Sequence, residues 1–291
     1  MQMSESYFVP EVIHLEHTLE NGQCFRWRKI SEGHYLGVVH GMVLEAKQME
    51  EGTLLTPMDE ELFQRVFYDY FGFGRDLLRR QDALAQKDPW LKIAVDYCRG
   101  LSILKQDPWE TLITFILSQN NHIPRIRSLV EKLAVLRGPK LTYRGNQLPD
   151  RQEEFYGFPT PSELENVTEE ELRTLGFGYR AGYVVDAVQK VLAGEVDLEK
   201  VVGLPLHGGR EELKRIKGVG NKVADCVLLF GYGFQEAFPV DVWVLRALER
   251  FYCKEIEEAG SREAFIKEYF GGEGGLAQQM LFHTLRNGMY P

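Results

Sequence analysis

Two periods of apolar spacing divide this chain. Up to about residue 85 the chain reads as β-rich at first, and Cys24-Phe25-Arg26-Trp27-Arg28 alternates polar and apolar positions with a period of two. The stretch from Tyr35 to Glu45 is dense in β-branched and aliphatic residues, broken by His40-Gly41 as a hairpin turn. A helix is expected from Asp59 to Tyr70, with Leu62, Phe63, Val66, Phe67 and Tyr70 on one face. From residue 86 the helical period takes over. Asp107 as N-cap, Pro108 in the first helical position and Glu110 in the first turn open one helix. Thr160, Pro161 and Glu163 repeat that arrangement, and Thr168 to Glu171 form a capping box in a segment closed by Gly176. A further helix carries Tyr183, Val184, Ala187, Val188 and Val191 on one face, while 138–160, rich in Gly, Pro and Asn, reads as a loop.

The predicted class is α+β. An N-terminal antiparallel β-sheet domain (1–85) precedes a larger α-helical region in two parts. One part is 86–120 with 200–291, which contains a helix-hairpin-helix motif; the other is 121–199.

Composition narrows the function classes. With 291 residues, 44% apolar and 26% charged, the chain suits two or three compact units of ordinary soluble character. Its apolar runs fall short of the ~20 residues of a membrane span. The opening MQMSESYFVP has neither a basic nor an apolar region of a secretory signal, so a cytoplasmic location is expected. Cys24, Cys98, Cys226 and Cys253 are far apart, which argues against a zinc site, an iron–sulfur cluster or a disulfide framework. A net charge of -9 confines any nucleic-acid contact to a small positive patch.

The candidate chemistry centres on LKRIKGVGNKVADCVLLF (Leu213–Phe230). Its spacing is wrong for a P-loop, and Val223 stands where a dinucleotide-binding fingerprint needs its third glycine. A helix, a tight Gly218-Val219-Gly220 turn and a second helix remain. Such a turn is either an ordinary connection or a cradle of N–H groups for a phosphate, with Lys214, Arg215 and Lys217 beside it. Lys222 then falls in the first turn of the second helix. It is either a snorkelling surface lysine or a partly buried amine. Desolvation and the positive end of a helix both favour the uncharged, nucleophilic form of such an amine. Asp241 is either a plain N-cap or, close in sequence to that lysine, a carboxylate placed to stabilise developing positive charge.

These two segments resemble the helix-hairpin-helix DNA glycosylases, with their Gly/Pro-rich loop and aspartate. NGQCFRWR (Asn21–Arg28), DPWETLITFILSQNNHIPRI (Asp107–Ile126), LGFGYRAGYV (Leu175–Val184) and LAQQMLFH (Leu276–His283) resemble the 8-oxoguanine DNA glycosylase family, the Ogg branch. The blocks occur in the family's order and cover almost the whole chain.

The resemblance implies a lysine Schiff-base glycosylase with β-elimination AP lyase activity on duplex DNA containing 8-oxoguanine, acting as a monomer. It assigns the attacking lysine to Lys222 and the essential carboxylate to Asp241. The carbonyl of Gly22 would accept from N7–H of the lesion, Cys226 and Phe282 would sandwich the flipped base, and Gln278 would read its Watson–Crick edge. Asn120, Arg125, Tyr179 and Arg180 would fill the gap and read the estranged cytosine. Gly218, Gly220 and Val223 would meet the DNA backbone. No cofactor is needed, although a structural monovalent or divalent cation on the hairpin carbonyls is compatible.

The sequence departs from the family pattern at Trp243, where some relatives have a phosphate-touching histidine, and at His122, which replaces an asparagine. The absence of grouped cysteines separates the chain from the endonuclease III branch. Rival readings are a monofunctional glycosylase for alkylated bases, which would not use Lys222, and a non-catalytic DNA-holding module.

Overall fold

The computed structural model describes residues 5–143 and 154–290. The N-terminal alternation becomes an antiparallel sheet of β1 (Tyr7–Val9), β2 (Trp27–Ser31), β3 (His34–Val39), β4 (Met42–Met49) and β5 (Gly52–Thr56), in the order β1-β5-β4-β3-β2. His40 and Gly41 make the predicted two-residue hairpin; their φ angles of 48° and 72° match the twist of the strands they join. The strand expected from Cys24 begins only at Trp27, because the chain before it is committed elsewhere: the Gln23 carbonyl accepts from Gln106 Nε2 at 2.7 Å.

The sheet is covered on both faces. One face joins the main core. On the other, Leu36, Val38 and Val43 pack with Phe155. Phe155 belongs to a short ladder of β6 (Lys140–Leu141) and β7 (Phe155–Tyr156), so the 138–160 segment is not wholly a loop; its residues 144–153 lie outside the described ones. This cover explains why β3 is buried at every position instead of alternating.

The helices are α1 (Leu15–Leu19), α2 (Glu60–Leu62), α3 (Tyr68–Phe71), α4 (Leu77–Ala85), α5 (Pro89–Tyr97), α6 (Pro108–Ser118), α7 (Ile123–Arg137), α8 (Glu169–Thr174) and α9 (Arg180–Leu192). They continue with α10 (Leu206–Leu213), α11 (Asn221–Val227), α12 (Val242–Phe251), α13 (Cys253–Glu258), α14 (Arg262–Tyr269) and α15 (Gly274–Arg286). Wider π turns at Phe63–Phe67 and Leu228–Tyr232 bridge α2 to α3 and extend α11.

The predicted caps form at Asp107, which accepts from Glu110 N at 2.8 Å, and at Thr168, which accepts from Glu171 N at 3.1 Å. The helix expected after Thr160 does not form. Thr160 and Glu163 exchange capping-box bonds of 2.7 and 3.3 Å, but the following residues make turns. The Pro159 carbonyl just before them is fastened to Trp109 Nε1 at 2.9 Å, which fixes the chain's path there.

One buried side chain joins the sheet domain to the helices. Gln23 Nε2 donates to Thr18 O and Ser102 O, both at 2.8 Å, and its Oε1 accepts from Leu104 N at 2.9 Å. Glu20 to Gln23 are thereby held beside α15, where Gln279 Nε2 reaches Asn21 O at 3.3 Å. A second joint pairs His17 on α1 with His283 on α15, Nδ1 to Nε2 at 3.1 Å. One ring must donate and the other accept, so the accepting ring at least is neutral and the two cannot both be protonated while bonded. Burial is the first cause holding His17 down to about 4 and His283 to about 3.

Gln23→Met strips the hydrogen bonds at near-constant volume and is expected to cost about 2–4 kcal/mol by urea unfolding. The histidine pair makes stability depend on pH. Both folded values lie below the ordinary 6.5, so the unfolded chain takes protons first as pH falls. Stability is full above pH 6.5 and is expected to decline towards pH 4, by up to about 1.4 kcal/mol per pH unit for each histidine. His283→Gln should flatten that part of the profile relative to the parent.

Candidate active site

The hairpin runs from α10 to α11. Gly218 takes φ +83°, and a Cβ on it would lie 2.3 Å from the Tyr183 ring, so the turn needs glycine on both counts. Gly220 is the N-cap of α11 in extended backbone and its α-carbon faces open space. The N–H groups of Asn221, Lys222 and Val223 therefore open the helix as donors without intrahelical partners. The Val223 side chain is only 4% exposed. Its expected contact with DNA is restricted to the main chain, because its side chain is part of the core.

Lys222 is half-buried in the first turn of α11, with its ammonium 5.2 Å from the centre of the Phe115 ring. Cys226 follows one turn later on the same face. Burial pushes its thiol up to about 11, against the lowering influence of the Lys222 charge. It therefore stays protonated at neutral pH and presents a small, polarisable, uncharged wall. Asp241 caps α12: Oδ1 accepts from Trp243 N at 2.9 Å and from Val244 N at 2.8 Å. Lys222 and Asp241 both line one cavity of about 920 Å³ between the α10–α11 hairpin and the α12–α14 segment. The structure thus brings the two residues expected to carry the chemistry to a common space. Beneath them Arg210 on α10 grips Asp225 on α11 through Nε (2.5 Å) and Nη2 (3.2 Å), locking the two hairpin helices together.

Gly22 and Phe282 also meet. Gly22 has φ +91°, and a Cβ there would lie 3.4 Å from Ile123 Cδ1, 3.5 Å from Arg286 Nη1 and 3.8 Å from Phe282 Cε1. No hydrogen bond among the described residues ends on the Gly22 carbonyl. Gln278 lies one turn before Phe282 on α15; it is 4% exposed, and its Oε1 is buried without a hydrogen-bond partner. A buried acceptor of that kind costs stability unless a ligand completes it.

The third group gathers at the α6–α7 and α8–α9 turns. Asn120 takes φ +47°, unusual for a residue with a side chain. Tyr179 is 45% exposed, and its OH donates to Gln119 O at 3.3 Å. The Arg180 guanidinium lies 4.5 Å from the Tyr179 ring centre and donates to Gln119 O (2.7 Å) and Asn120 O (2.9 Å). Arg125 is turned to the neighbouring Gly176 carbonyl at 2.7 Å. Asn120, Tyr179 and Arg180 form one cluster, with Arg125 at its edge. At the departures from the family pattern, His122 is the N-cap of α7, accepting from Arg125 N at 3.4 Å. Trp243 carries the Arg246 guanidinium 5.3 Å above its ring.

Sequence reasoning missed Ile123 and Arg286, both against Gly22. The signal for Arg286 was available: it is four residues after Phe282, one turn along the same helix face.

Comparison with known proteins matches this geometry. Residues 7–112 match the 8-oxoguanine DNA glycosylase N-terminal domain, and residues 113–270 match the HhH-GPD superfamily of base excision DNA repair proteins. The N-glycosylase/DNA lyase OGG1 of Arabidopsis thaliana is 30% identical over 95% of this chain and 79% of its own length. The 8-oxoguanine glycosylase/lyase of Clostridium acetobutylicum, solved with double-stranded DNA carrying cytosine opposite 8-oxoguanine, superposes with a TM-score of 0.87 at 34% identity, covering 99% of both chains. MBOgg1, solved with a low-affinity DNA ligand, superposes at 0.86 with 35% identity over 98% of this chain and 99% of that one. A glycine hairpin that leads into Lys222 and a helix-capping Asp241 on the same cavity accord with these matches: the chain belongs to the 8-oxoguanine glycosylase branch of the HhH-GPD superfamily of base excision DNA repair proteins.

Proposed function

We propose that this chain is a bifunctional DNA glycosylase/AP lyase that excises 8-oxoguanine from duplex DNA in base excision repair. Lys222 is the nucleophile and Asp241 its catalytic carboxylate. The observation that carries the residue assignment is the opening of both side chains onto one cavity beside the hairpin. The names of the Arabidopsis, Clostridium and MBOgg1 proteins support the activity and the duplex substrate.

The damaged nucleotide leaves the stack and enters the site. The amine of Lys222 adds to C1′ as the bond to N9 breaks, and the base departs with the bonding electron pair. Asp241, held by two main-chain donors, stays beside the sugar and stabilises the positive charge that develops on it. Loss of a proton and ring opening give the Schiff base. Abstraction of a proton at C2′ then expels the 3′ phosphate by β-elimination. The hairpin N–H groups and Lys214, Arg215 and Lys217 hold the backbone.

Gly22 accepts from N7–H of the lesion. Guanine lacks that proton and would set its N7 lone pair against the carbonyl. Phe282 and the neutral thiol of Cys226 enclose the ring, and Gln278 completes its buried acceptor on the Watson–Crick edge. Asn120 and Tyr179 fill the gap in the duplex. Arg125 and Arg180 exchange the carbonyls of Gly176, Gln119 and Asn120 for the acceptors of the opposite cytosine, one hydrogen bond replacing another.

The hairpin's main-chain carbonyls are oxygen donors that suit a hard monovalent or divalent cation, which in this reading steadies a phosphate. The chain acts as a monomer in the cytoplasm. No helix among the described residues is long and apolar enough to cross a membrane.

Borohydride should trap the protein on 8-oxoguanine duplex, and Lys222→Gln should abolish trapping; undiminished trapping would refute the nucleophile. Asp241→Asn is expected to lower single-turnover excision by at least 100-fold while damaged duplex still binds in a gel-shift assay. Normal turnover by that variant excludes the role given to the carboxylate. Cleavage of duplexes with each of the four bases opposite the lesion should be fastest for cytosine, and Arg180→Ala should narrow that preference.

A further inference from the structure

Arg286 touches the base-reading group, but the chemistry above does not use it. Its guanidinium carbon is 5.5 Å from the centre of the Phe282 ring. The two terminal nitrogens differ. Nη2 donates to Glu20 O at 3.2 Å, just before the glycine loop. Nη1 is buried and has no hydrogen-bond partner. It lies 3.5 Å from where a Cβ on Gly22 would stand, so it sits against that glycine. A charged N–H buried without an acceptor is costly, and native structures keep few of them. The carbonyl of Gly22 likewise receives no hydrogen bond among the described residues. A donor and an acceptor, both unpaired, therefore belong to the same corner of the site, with Phe282 and Ile123 as its apolar walls.

The lesion differs from guanine on one edge. Guanine shows an N7 lone pair beside a C8–H. 8-Oxoguanine shows an N7–H donor beside a C8 carbonyl acceptor, the arrangement of a cyclic amide. A protein acceptor next to a protein donor is the complement of that edge.

We propose that Arg286 is a specificity-determining residue, donating from Nη1 to the C8 carbonyl oxygen while the Gly22 carbonyl accepts from N7–H. This rests on the reading of the site as an 8-oxoguanine pocket. The donor's charge makes its hydrogen bond the stronger of the two. Guanine satisfies neither partner: its C8–H leaves Nη1 unpaired, and its N7 repels the carbonyl. The O6 oxygen is common to both bases and cannot discriminate between them.

The test compares single-turnover release of two bases from otherwise identical duplexes. One is 8-oxoguanine. The other is 8-thioguanine, which keeps N7–H but offers sulfur, a weak acceptor, at C8. Arg286→Leu is expected to slow release of 8-oxoguanine roughly 10- to 100-fold and release of 8-thioguanine by less than about 3-fold. Equal losses on both bases would overturn the proposal, since Arg286 would then only fasten Glu20 and the loop; so would no loss on either. Cleavage of an abasic duplex by the same preparations reports folding. If Arg286→Leu loses that activity, Arg286→Gln replaces it and is judged by the same oxo-to-thio ratio, which should again fall below that of the parent. A parent protein that cleaves abasic duplex but releases no 8-oxoguanine would instead sink the proposed function.

Discussion

The geometry of the site depends on where the buried polar groups of Glu20 to Gln23 find partners. This loop belongs to the sheet domain, yet its hydrogen bonds run to residues 102–106 and to α15. Inside a protein, an amide left without a partner is penalised more heavily than a paired one is rewarded. The bonds made by Glu20, Asn21 and Gln23 favour the conformation in which Gly22 lies against Phe282. Two domains with separate periodicities are thus registered to each other within the length of a hydrogen bond. The His17–His283 contact repeats the device a few residues away.

On the other side of the site the constraint is steric. Gly218 turns against the Tyr183 ring, which fixes how α11 leaves the hairpin, and the Arg210–Asp225 pair prevents the two helices from sliding. With its helix held at both ends, Lys222 has few places to put its amine. It lies over Phe115, facing the cavity that Asp241 also lines. Asp241 in turn owes its orientation to the first turn of α12, whose unpaired N–H groups it caps. Backbone demands at two helix starts thus orient Lys222 and Asp241 without requiring a contact between them.

Much of this was legible in the sequence. Caps, the His40-Gly41 hairpin and the glycine turn are local signals, each requiring particular residue types. The segment after Thr160 shows the limit of such signals: the capping bonds form, but the path set by Trp109 and Pro159 allows only turns. Cys24 to Arg26 alternate like a strand, yet the neighbouring Gln23 serves as a joint. That a strand would be buried on both faces by Phe155, more than a hundred residues away, has no local signature. Ile123 is equally silent, and the spacing of Arg286 after Phe282 shows a shared helix face but not what that face meets. Their importance is that they reach Gly22, and contacts of such sequence separation appear only after folding.

The role proposed for the arginines beside Tyr179 has a bearing on how undamaged DNA would be traversed. In the free protein Arg180 and Arg125 hold the carbonyls of Gln119, Asn120 and Gly176, and Arg180 is largely shielded from solvent. Cations retained in this way do not grip every passing phosphate, and the chain's net charge of -9 weakens non-specific adhesion further. In the reading proposed above, contact with intact duplex would be weak, and these guanidinium groups would engage fully only where an orphaned base competes for them. On that proposal, passage along intact duplex and arrest at a lesion would be governed by the same side chains.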